Sequence, residues 1–193
     1  MYRFCSLIAR FQRRYRGVVM LTFAVILLTI SMPVSAAAAT GDDASRHYQT
    51  GLKLLGDQSE TATRSIATAN IWFAMAAMKG HGDAQFHLGV SFQNGRGVHK
   101  NIKTAIYFYQ LAAMQHHTTA QYNLAVIYIN GTGVERNYEA ALTLLLVAQA
   151  RTGLSKTGKA QINSLIGKIQ PQMRYAQVSR AEWNAAQITG SKI

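Results

Sequence analysis

Asn94-Gly95-Arg96-Gly97-Val98 is answered thirty-six residues later by Asn130-Gly131-Thr132-Gly133-Val134. The same offset holds on either side of that turn. Trp72-Phe-Ala-Met-Ala76-Ala77 aligns with Phe108-Tyr-Gln-Leu-Ala112-Ala113. Ala84, Gln85, Phe86 and Leu88 align with Ala120, Gln121, Tyr122 and Leu124, and Ala69, Ala105 and Ala141 form a third series. A fixed period of this length is the signature of stacked supersecondary units. Apolar residues fall at i, i+3, i+4 and i+7, the spacing of helices. Each period reads as two. A first helix, A, spans 83–94 and again 119–130. A second, B, spans 66–79, 102–114 and 138–150. Gly95 and Gly97 end helix A, where a left-handed cap disfavours a Cβ. The alanines let helices approach closely.

These residues resemble the Sel1-like repeat family, a tetratricopeptide-related α-solenoid. Ala69, Trp72, Ala76, Ala77, Gly80, Ala84, Leu88, Gly89, Phe92, Gly95, Gly97 and Val98 follow its motif in order. The next copy keeps the pattern but has His116 and Ala125 where the family prefers glycine. The resemblance implies an all-α, right-handed α/α solenoid of about three helix pairs, at about 44–80, 81–116 and 117–153. It also implies a non-enzymatic protein-interaction role, with helix A lining a concave surface. The ends are atypical, as solenoid ends are. His47 to Leu55 reads as a degenerate first helix A. The stripe Ile162, Leu165, Ile166, Ile169 and a last helix over 176–186 read as basic capping helices within 154–193.

Residues 1–39 read as a Sec-type signal peptide. Arg3, Arg10, Arg13, Arg14 and Arg16 precede an uncharged run from Val18 to Ile30, and small residues follow at Ala36–Ala39. That apolar run is short of the ~20 residues that span a bilayer. Cleavage near Ala36–Ala39 would make the product periplasmic or secreted.

The charge of +12 on the whole chain is unevenly placed. Five of the twenty basic residues lie in the leader, and seven of them lie after residue 150 beside a single acid, Glu182. The repeats themselves are nearly neutral, which argues against nucleic acid, whose binding surfaces carry a basic stripe on the folded body. One cysteine, Cys5, excludes an internal disulfide framework and a multi-cysteine zinc site. Gly153 to Ala160 approximates a phosphate-binding loop, but it lacks the terminal Ser or Thr and the preceding strand. Lys156-Thr157-Gly158 lacks the Ser-x-x-Lys partner of the penicillin-recognising enzymes. His81 and His117 stand one repeat apart, too far to share an ion with ~2 Å bonds. No catalytic, cofactor or metal residues are therefore assigned.

At 100° per residue, Ala84, Leu88 and Phe92 face the core of the pair. Phe86, Val90 and Gln93 lie opposite, and Tyr122, Val126 and Ile129 repeat them. These six are the candidate partner-binding residues, expected to form an exposed apolar ladder that holds a protein. Lys156, Lys159 and Lys168 offer a second candidate surface, for peptidoglycan or an anionic membrane.

Overall fold

A computed structural model describes residues 35–56, 62–151 and 153–190. Residues 1–34 of the stretch read as a signal peptide over 1–39, and the middle of the loop read at 56–64, lie outside the described residues. The chain divides into two units, 1–40 and 41–193. The helices are α1 (Ser35–Gly56), α2 (Ala62–Met78), α3 (Gly82–Asn94), α4 (Ile102–Met114), α5 (Thr118–Asn130), α6 (Tyr138–Gln149), α7 (Lys156–Ile169) and α8 (Tyr175–Thr189), with a 3-10 turn at Gln170–Gln172. Among the described residues there is no strand. The architecture is an all-α solenoid, in which α3 and α5 are A helices and α2, α4 and α6 B helices; α2 to α7 pack in succession, and α8 packs back on α6.

The repeat turn explains why the helices stop where they do. Gly95 and Gly131 cap α3 and α5 in the left-handed region, with φ of 73° and 67°. Their N–H groups donate to the Ser91 and Ile127 carbonyls. Asn101 and Asn137 then start the B helices, their side chains accepting from the N–H of Thr104 and Ala140. The histidines at the A-helix starts do the same work. His81 Nδ1 accepts from Ala84 N–H and His117 Nδ1 from Ala120 N–H. So the two histidines one repeat apart are N-caps.

Three contiguous cores run along the stack. Ala69, Phe73, Ala84 and Leu88 form the first; Ala105, Tyr109, Ala120 and Leu124 the second; Ala125, Leu142, Leu145, Ile162 and Ala181 the third. In the first two a glycine packs closely against a ring. A Cβ at Gly89 would stand 2.6 Å from the Tyr109 ring, and one at Gly51 would stand 2.6 Å from the Phe73 ring. Phe73 and Tyr109 are one period apart, so Gly51 is the counterpart of Gly89, and α1 holds the place of the first helix A. In the third repeat the pair becomes Ala125 and Leu145, both fully buried. A methyl gained on one helix is matched by a ring lost on the other, which keeps the core volume. The other departure from glycine, His116, adopts φ 62°, the only non-glycine among the described residues at positive φ.

The expected capping role for the C-terminal helices is what packing displays. Ile162 and Ile169 of α7 and Ala181 of α8 are buried in the third core. The loop-like sequence at 153–160 is a turn and the start of α7, where Ser155 Oγ accepts from Gly158 N–H.

Candidate protein-interaction site

All six ladder residues are half-buried. Phe86 and Val90 pack against the second core, which α4 and α5 form. Tyr122 and Ile129 pack against the third. Gln93 Oε1 accepts from the Tyr109 hydroxyl at 2.6 Å, and Asn123 Nδ2 donates to the Tyr109 hydroxyl oxygen at 3.3 Å. The expected freely exposed ladder is thus a narrower strip, because much of it joins one repeat to the next.

The joint is specific. Phe86 stacks on His117, with centroids 4.4 Å apart. One repeat earlier Tyr48 stacks on His81, also at 4.4 Å. Tyr48 bears the same relation to Gly51 as Phe86 does to Gly89. An aromatic residue of the first and second A helices therefore lies flat on the N-cap histidine of the next. Tyr122 is the third of the series, and Gly153 stands where its histidine would be. Sequence reasoning missed Tyr48, because the longer loop after α1 breaks the thirty-six-residue offset.

Burial favours the neutral form of His117. Burial pushes His117 below the ordinary histidine value, with Asp83 partly opposing. His117 Nε2 lies 3.4 Å from Asp83 Oδ1. His87, stacked on Phe73 at 4.8 Å, is pushed down by burial in the same way. A neutral ring leaves Nδ1 free to accept the cap hydrogen bond. Among the described residues no group of His, Cys, Asp or Glu is placed to hold a metal ion.

Buried amides tie the repeats further. Gln85 Nε2 donates to the Ala77 carbonyl, and its Oε1 accepts from Gln115 Nε2 at 2.7 Å. Gln121 repeats the first bond, to Ala113, but its Oε1 is buried without a partner. The reason is local. Gln115 lies across Gly82, where a Cβ would meet its amide oxygen at 3.2 Å. Thr118 occupies that place in the next repeat, and Arg151 replaces Gln115.

The basic C-terminal residues stay apart from this strip. Lys156, Lys159 and Lys168 are exposed on α7. Arg180, in contrast, forks onto Glu139 of α6, with nitrogen–oxygen distances of 2.8 to 3.1 Å.

Comparison with known proteins agrees with this geometry. A model of the Sel1 repeat matches residues 35–81, 82–117 and 118–148. The structure is similar to that of c5321, a protective antigen present in uropathogenic Escherichia coli strains and displaying an SLR fold. That likeness has 29% identity and a TM-score of 0.66, and covers 77% of this chain. This chain spans only 30% of that one. It is also similar to a Sel1 repeat protein from Oxalobacter formigenes, at 28% identity and a TM-score of 0.54, over 68% of this chain and 97% of that one. No curated protein matches. Sel1 repeats generally mediate protein–protein interaction. With three repeats spanning more than half of its length, the chain belongs to the Sel1 repeat family.

Proposed function

We propose that the chain is a non-enzymatic adaptor of the bacterial cell envelope that holds a partner protein along its A helices. The observation that carries this is the recurrence of one half-buried aromatic position, Tyr48, Phe86 and Tyr122, on three successive A helices. Val90, Gln93, Val126 and Ile129 continue the strip. Phe86 is tied to His117, so Tyr122, Val126 and Ile129, beyond the last histidine cap, are the part a partner reaches most readily. The envelope assignment rests on the arginine-rich, apolar, small-residue pattern of the leader.

A photo-crosslinker at position 122, read by mass spectrometry in cells, tests the proposal, with the exposed position 79 as the outer-face control. A discrete protein adduct from 122 is expected. No adduct from 122 in a folded, exported protein would refute it.

A second reading, a peptidoglycan-binding module, is favoured only by the exposed Lys156, Lys159 and Lys168. Co-sedimentation with peptidoglycan should then be lost on reversing those three charges. Absence of co-sedimentation by the unaltered protein removes this reading.

A further inference from the structure

The B helices carry a surface stripe that repeats with the period of the fold. Ile71 and Met78 lie on α2, and Tyr107 and Met114 lie at the same register on α4. These four are 63%, 88%, 56% and 77% exposed. On α6 the same register holds Thr143, and beside it Val147, which is 3% exposed. Ala150, at the register of Met114, stays exposed, so the stripe is open on two B helices and covered on the third around Thr143.

Its cover on α6 is α8. Ala181 and Ala185, four residues apart, are buried. The Thr143 hydroxyl reaches the Ala181 carbonyl at 3.4 Å. Arg180, immediately before the first alanine, forks onto Glu139. The molecule thus contains one worked case of how this stripe is covered: small residues four apart against the stripe, with a charge just before them that matches the B helix.

At the register of Glu139, α4 has Lys103, which is exposed. The charge that selects the covering helix is reversed. Beside the α4 stripe runs a groove of ≈ 890 Å³, walled by Gln110 and Met114 on α4 and by Gln187 and Ile188 on α8. Its floor is Leu124, Tyr128 and Leu144.

We propose that the α4 stripe is a docking site for an amphipathic helix of a partner protein. That helix packs as α8 does, with small residues four apart over Tyr107 and an acidic residue immediately before the first of them, facing Lys103. The charge argues against a second copy of this chain, whose α8 would bring Arg180 onto Lys103. Met114 and the apolar groove receive the far end of the helix. This surface is separate from the A-helix strip and does not depend on that reading.

Two synthetic peptides test the proposal against the full chain by fluorescence anisotropy. One has the sequence of residues 175–189; the other is the same with Arg180→Glu. The acidic peptide is expected to bind about five-fold tighter, the ratio that an exposed charge pair supplies. Lys103→Glu in the protein should reverse the order. Met114→Asp, at a position 77% exposed, should weaken both peptides while leaving the melting temperature in place. Failure of both peptides to bind, or a preference that ignores residue 103, overturns the proposal. Tighter binding of the unaltered peptide to the unaltered protein also overturns it, and would assign the stripe to a second copy instead.

Discussion

Gly97→Ala should destabilise the protein far more than Gly95→Ala, although both glycines belong to one turn and both sit at positive φ. At Gly95, φ is 73° and an added Cβ finds nothing nearer than the Lys100 Cβ, at 3.3 Å. Lys100 lies in the loop before α4 and need shift only a few tenths of an ångström, so the cost is mainly the left-handed conformation, about 1 kcal/mol. At Gly97, φ is 68° and the same Cβ would lie 2.7 Å from the Ala67 nitrogen and 2.9 Å from the Ile66 carbonyl carbon. Those are backbone atoms inside α2, and they cannot rotate away. Overpacking adds roughly 1–3 kcal/mol, for a total of about 2–4 kcal/mol. The consequence extends beyond one contact. Asn70 on α2 donates to the Arg96 carbonyl at 2.7 Å, so the turn is clamped to α2 there and displacement strains that bond as well. Urea unfolding followed by circular dichroism at 222 nm measures both variants. An unchanged slope with a lower midpoint reports lost stability, and a reduced slope reports partial uncoupling of the first repeat. Equal losses from Gly95→Ala and Gly97→Ala would refute the close-approach argument. It would mean that conformation, not contact with α2, governs this turn.

Three further outcomes follow from the same structure. His116 occupies the left-handed position that Gly80 fills one repeat earlier, so His116→Gly should raise stability by about 1 kcal/mol; a loss by thermal unfolding would contradict this. Ser91 Oγ donates to the Asn70 Oδ1 in a buried site, so Ser91→Ala should cost about 1–3 kcal/mol, whereas the double change Asn70→Ile with Ser91→Ile should cost less than the sum of the single changes. His117 is held below its ordinary value of about 6.5 in the fold. The unfolded chain therefore takes up the proton first, so stability is full above about pH 6.5, falls as pH drops through that value, and levels off below the folded value. His117→Asn keeps a capping side chain without titrating, and should flatten the pH profile of the urea midpoint between pH 7 and 5; an unchanged profile would count against the cap.

The period and the helix boundaries were legible because each local signal agrees with its copy. The expected B helix over 102–114 is observed as Ile102–Met114. The A helices begin one residue earlier than their periodicity suggests, because the capping side chain is a histidine instead of a usual cap residue. The ladder was harder to read. A single-face projection of Phe86 places it opposite the core of its own helix pair, and a surface helix would leave that face wet. In a solenoid the A helix is packed on two sides, by its own B helix and by the next repeat, so the opposite face is where stacking occurs. Phe86 on His117 is that second contact. The open stripe on the B helices was invisible for the complementary reason. Ile71, Met78, Tyr107 and Met114 have the composition of core residues, and only the tertiary position of α8 separates the covered copy from the open ones.

Repeats also carry a record of compensation that a single domain lacks. Asn70 and Ser91, which hydrogen-bond to each other, become Ile106 and Ile127 one period later. Both isoleucines are buried, at 7% and 3% exposure. A polar pair and an apolar pair thus fill the same space, while a mixed pair would leave a buried polar atom unanswered. Gly89 with Tyr109 and Ala125 with Leu145 make the same exchange in volume. Gln121 breaks the rule: its Oε1 lost the amide donor that Gln115 gives to Gln85, and nothing in the third repeat replaced it. The first two exchanges changed both partners together, so the core stayed satisfied. The third changed the donor and the glycine beneath it but kept the acceptor. The second-to-third repeat junction should therefore be less stable than the first-to-second. Amide hydrogen exchange of α5 against α3 measures the difference, and greater protection of α5 would show that the orphaned acceptor carries no cost.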